Sequence, residues 1–251
     1  MKKFDFHTHC FPDRIAERAM ATLTEGFGSN PYHKGTFSDL TEFETACGVD
    51  GFAIQNIATN AHQMRSVNDF AASCVREYIV PFGSVFPDAP DALDELERIK
   101  SLGLKGVKFH SEYQGFEVDD PKMIPIYRKI SELGLNVLFH CGADPVFKPP
   151  FRCVPDKIRN AVKYLDTNVI CAHWGSVMMY DEVIRYLLDA DVYFDTSYAY
   201  GLINKDTALR IIDSHGIDRM LFASDSPWHS PADEIKLIES LGLTDNEKEK
   251  L

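Results

Sequence analysis

Apolar and polar positions along this chain alternate in a regular two-part pattern: a short β-rich run, then a longer stretch with helical periodicity. The β-rich runs fall at 3–8, 51–57, 79–86, 106–110, 136–140, 169–173, 192–196 and 220–224. Between them, apolar residues recur at helical spacing near 39–47, 61–77, 89–102, 122–133, 155–165, 179–189, 205–215 and 231–241. Ser38-Asp39 is expected to cap the first of these helices, and the segment 88–91 to open the third. Gly103, Gly134, Gly216 and Gly242 each stand where a helix should stop. Leu-Gly-Leu at 102–104, 133–135 and 241–243 marks helix ends and not a sequence repeat. The tail, 244–251, reads as the start of a further helix.

Strands and helices in strict alternation, eight of each, are the count of an α/β (β/α)8 TIM barrel, here one domain over 1–251. An open doubly wound sheet shares the alternation. No G-x-G-x-x-G follows the first strand, so its dinucleotide-binding form loses support.

Composition narrows the function classes. The 251 residues are 45% hydrophobic and 25% charged, enough apolar material for one sizeable core. A formal net charge of −12 argues against a nucleic-acid partner. No signal peptide opens the chain and no apolar run is long enough to span a bilayer, so the expected compartment is the cytoplasm. Cysteines 10, 47, 74, 141, 153 and 171 lack C-x-x-C pairing and read as reduced, mostly buried thiols. Self-association is left open.

The chemistry gathers at strand ends. His7 and His9 are two apart on the first strand, so their side chains share a face and can chelate one divalent ion. His140 closes the fifth strand, His173 the sixth and Asp225 the eighth. In a barrel the C-terminal strand ends converge on one mouth, which brings these distant residues together. Lys108 and His110 share a face of the fourth strand. Lys108 reads as a buried cation paired with an acid, and His110 as a substrate contact or a support for a ligand. Trp174 and Trp228 suit apolar pocket walls, and His229 the pocket rim. Arg152 and Lys148, in the loop after the fifth strand, are candidates to meet an anionic substrate. His33 and His62 carry no clear role, and His215 reads as a surface or capping residue at a helix end.

The ordered set DFHTH (5–9), GVKFH (106–110), LFHCG (138–142), AHWGS (172–176), YFDTS (193–197) and SDSPW (224–228) resembles the amidohydrolase superfamily over nearly the whole chain. It looks closest to the amidohydrolase-related branch that includes aminocarboxymuconate semialdehyde decarboxylase. The resemblance implies that His7, His9, His140 and Asp225 hold about one Zn2+ per chain, with Mn2+, Fe2+ or Co2+ as substitutes. It implies that His173 sits close by, as a second-metal ligand or an acid/base group, the latter preferred; Asp225 could also take a proton from metal-bound water, and Lys108, His110, Trp228 and Arg152 are the candidate substrate contacts. In binuclear relatives a fourth-strand residue bridges two ions, a part open to Lys108 or Glu112. The expected activity is hydrolysis of a small-molecule C–N or C–O bond by metal-activated water. The alternative is metal-dependent, non-oxidative decarboxylation of a small carboxylic acid.

Overall fold

The computed structural model describes residues 2–28 and 30–251. All eight apolar runs are strands: β1 (Phe4–Thr8), β2 (Gly51–Gln55), β3 (Ile79–Phe82), β4 (Gly106–Phe109), β5 (Asn136–Phe139), β6 (Val169–Cys171), β7 (Tyr193–Asp195) and β8 (Met220–Leu221). β1–β3 pair in parallel, as do β4–β8. Two seams close the ring. At one, Gly83 N–H donates to Gly106 O at 2.9 Å and Lys108 N–H to Gly83 O at 2.8 Å. At the other, Phe6 N–H donates to Phe222 O at 2.9 Å and Asp225 N–H to His7 O at 2.8 Å. The expected TIM barrel is thus the observed one. The first seam needs glycine: a Cβ on Gly106 would stand 2.3 Å from the Phe82 ring.

Side-chain alternation divides the core. Val107, Phe109, Val137 and Phe139 point outward and pack against the helices. Phe82, Leu138 and Ile170 point inward and fill the barrel beneath the mouth. Apart from β1, which ends with its run, the strands end one to four residues before the apolar pattern does. The reason is local: His173, Tyr198 and Asp225 have left-handed φ of 62°, 54° and 71°, so the chain leaves extended geometry to aim these side chains at the mouth.

The helices match the periodic stretches, with two corrections. The segment between β1 and the first periodic stretch, assigned no helix by the pattern above, holds a helix of 15 residues, α1 (Asp13–Phe27). Its capping glycine, Gly28, adopts φ 68° and donates its N–H to Thr24 O. The next helix, α2 (Phe37–Ala46), is capped by Thr36 and not by Ser38-Asp39: Thr36 and Asp39 satisfy each other's backbone N–H in a reciprocal box. After β2 comes a short 3-10 turn and then α3 (Met64–Ser73). The tail does form a helix, Asp245–Lys250, on a second such box at Thr244. His215 is not on the surface. Its ring is buried, stacks on Phe194 at 4.0 Å and lies 3.1 and 2.9 Å from the carbonyls of Leu188 and Val192. Five of the six thiols are buried and all six are free. Among the described residues, no helix is long and apolar enough to cross a membrane.

One buried pair makes stability pH-dependent. Glu44 of α2 faces Asp5 of β1 and Ser226; burial first, then the Asp5 charge, pushes its carboxyl up to about 10. Burial likewise raises Asp5 to about 7. In the unfolded chain both ionise near pH ~4. Their protonated forms therefore favour the fold fully below that pH, and the benefit is lost as pH rises through 7 towards 10. Thermal melts should show a lower Tm at pH 8.5 than at 5.5, with a smaller difference in Glu44→Gln. An equal difference in both proteins would exonerate Glu44.

Candidate metal centre

Each histidine of β1 is aimed from behind. His7 donates from Nδ1 to Asp195 Oδ2 at 2.9 Å, and His9 donates from Nδ1 to the Gln55 carbonyl at 2.8 Å. Both therefore present Nε2 forward, 3.4 and 3.0 Å from Asp225 Oδ1. A carboxylate or carbonyl behind each imidazole is the support that metal-ligating histidines ordinarily have. Asp195 also accepts the N–H groups of His173 and Ser197, at 2.9 and 3.1 Å, so one buried carboxylate fixes two strand ends.

The predicted ligands do not all sit at one point. His7, His173 and Asp225 offer atoms within 4.8 Å of one another, and so, separately, do His110, His140 and Asp144. His140 bridges the two groups: its Nδ1 is 3.0 Å from His173 Nε2, and its ring stacks on His110 at 4.0 Å. Its other nitrogen, Nε2, is buried without a hydrogen-bond partner. His173 is held from its far side by Ser197 Oγ, 2.8 Å from Nδ1.

The donors are in the form that an ion needs. Burial, helped by neighbouring cationic groups, holds His7, His110, His140 and His173 well below the usual histidine range, so all four are neutral. Neutral imidazoles and a carboxylate are the donors a divalent ion requires. Burial raises the Asp225 carboxyl above its ordinary range. Burial also lowers Lys108 to about 8, and its Nζ stands 3.0 Å from His7 Nε2. The donor set, with an orphaned buried nitrogen on His140, fits a divalent metal.

These groups line a cavity of about 320 Å3. Lys108, His110 and Trp228 are in its wall, as sequence spacing suggested. His110 reaches Asp144 at 3.1 Å through Nε2. Arg152 is not in the wall: its backbone N–H donates to Glu112 at 2.6 Å, and its guanidinium lies 3.5 Å from both Glu112 and Glu117. Those contacts occupy Arg152 and Glu112 with each other, away from the ligands, and Lys148 is exposed. Trp174 is core, donating to Thr196 O. His229 pairs with Glu234 at 2.7 Å. His33 accepts the Gly35 N–H, and His62 is exposed. Sequence reasoning missed Asp195 and Asp144. An acid closing an otherwise apolar strand was the available signal for Asp195; Asp144 offered none.

A barrel whose mouth gathers neutral histidines and an aspartate defines a class, the metal-dependent TIM-barrel enzymes. The sequence model of the Amidohydrolase family matches residues 4–251, and the chain belongs to that family of metal-dependent enzymes. Solved structures share the fold at low identity. An uncharacterized TIM-barrel protein from Bordetella bronchiseptica aligns with TM-score 0.76 and 18% identity, covering 100% of this chain and 95% of that one. 2,6-Dihydroxybenzoate decarboxylase from Rhizobium aligns with TM-score 0.72 and 16% identity, covering 100% and 95%. A dihydroxybenzoic acid decarboxylase from Polaromonas, with bound manganese and an inhibitor, 2-nitroresorcinol, aligns with TM-score 0.73 and 15% identity, covering 99% and 93%.

Proposed function

We propose that the protein is a divalent-metal-dependent, non-oxidative decarboxylase of a small carboxylic acid. The observation that carries the reading is Lys108, a fully buried cation in the wall of a cavity that also presents the imidazoles and the Asp225 and Asp144 carboxyls. A substrate carboxylate is the natural counter-ion for it. The decarboxylases among the structural relatives support the same reading, which moves ahead of the hydrolysis that the sequence favoured.

The ion, Zn2+ or Mn2+, would be held by His7, His9 and Asp225, with His140 or His173 completing the set. When bound, it supplies a Lewis acid that polarises substrate oxygens. The chain's own groups handle binding and the proton. Lys108 holds the carboxylate. The carbon bearing that carboxylate takes a proton from Asp225, which is buried in the cavity wall beside His7 and His9. The C–C bond then breaks, its electron pair stays with the carbon skeleton, and CO2 leaves. His173, neutral and in contact with His140 and Ser197, returns a proton from solvent to Asp225. One proton is consumed for each CO2 released.

Hydrolysis is the second reading, favoured by His173 itself, because a neutral buried imidazole is equally suited to take a proton from water. The metal-loaded enzyme should be given small aromatic and unsaturated acids in D2O. The expected result is release of CO2 with one deuterium at the carbon that carried it. Turnover of lactones or amides with 18O uptake from water, and no CO2 from any acid, would overturn the proposal.

A further inference from the structure

The cavity has a compartment that the metal centre does not use. From the histidines it continues as a groove between α1 and α3. On α1, Ile15, Ala19 and Leu23 recur every four residues and line one side; on α3, Val67 and Phe70 line the other, and Phe11 lies at the inner end. Ala16 and Met20, beside them on the same apolar face of α1, are buried, with Met20 against the loop at Gly35. The Ile15-Ala19-Leu23 stripe is less covered, and Ile15 remains 40% exposed. This stripe is also continuous with the polar end of the same cavity.

We infer that the groove between α1 and α3 holds an apolar tail of the substrate, alkyl or aryl, while the carboxylate-bearing head reaches Lys108 and the metal centre. The head rests on the function proposed above; the tail rests on the groove alone. The substrate is accordingly an amphiphile, an acid with a water-avoiding extension. Each methylene placed in the groove should tighten binding about fourfold until the groove is full.

The test is calorimetric titration of the metal-loaded enzyme with straight-chain carboxylates from butanoate to decanoate. Affinity should climb about three- to fourfold per methylene and then level off. Ala19→Phe fills the groove and should flatten the climb; Leu23→Gln keeps the volume, makes the wall polar and should lessen it. Either variant serves if the other fails to fold. No gain with length in the wild type, or a gain that a folded variant leaves untouched, overturns the inference. So does a variant that alters the sedimentation coefficient but not the gain, since the stripe is then a subunit contact. Lys108→Met separates the two claims: it should weaken every acid by one common factor and leave the gain per methylene unchanged. If Lys108→Met weakens none of them, the head-group reading falls and the groove stands.

Discussion

Asp225→Asn is expected to keep the fold and lose about 10²–10⁴-fold in kcat. The choice of asparagine matters. Asp225 holds φ 71°, a left-handed geometry that asparagine tolerates better than most residues and alanine does not. The backbone that carries Trp228 and seals β8 to β1 is therefore preserved, and the Asn amide can donate to His9 Nε2. What goes is the charge and the transferable proton. Because burial already disfavours the charged carboxylate, the variant should melt at the same temperature as the wild type or higher. Metal content should fall along with turnover. Asp225→Asn turning over within tenfold of the wild type at saturating metal would remove Asp225 from the reaction.

The barrel and the address of its site were readable because strand periodicity and strand-end chemistry are local signals. His7, His9, Lys108, His110 and Asp225 were found by one argument, that polar residues closing apolar strands meet at the mouth. The argument could not say which ring atoms face which. That depends on the groups behind each ring, and Asp195 and the Gln55 carbonyl lie 188 and 46 residues away in sequence from the histidines they orient. For the same reason His140 and His173 could not be ordered: their mutual 3.0 Å contact and the His110 stack come from packing of three separate strand ends. Arg152 misled for a related cause. A cation in a mouth loop suggests a substrate contact, but Glu112 and Glu117, 40 and 35 residues earlier, meet it first. α1 was passed over although Ile15, Ala16, Ala19, Met20 and Leu23 recur at helical spacing on one face, so a signal for it was present in the sequence.

Asp195 should prove nearly as important as the ligands it never joins. Asp195→Asn is the informative change, since the new side chain divides its two functions. Its carbonyl oxygen can still accept the N–H groups of His173 and Ser197, so the ends of β6 and β7 stay in place. Its amide nitrogen, however, would face His7 Nδ1, which now donates to a carboxylate oxygen. A donor there forces His7 to carry its proton on Nε2, the nitrogen that must be bare to bind an ion. Metal affinity should drop about 10–100-fold with little change in Tm. Asp195→Ala should lose both functions, lowering Tm as well, because two buried N–H groups are left without acceptors. Competition with a chromophoric chelator at neutral pH measures the affinity directly. Metal binding within about twofold of the wild type in Asp195→Asn would mean that His7 is not a ligand through Nε2, and the site would then centre on His110, His140 and Asp144 instead.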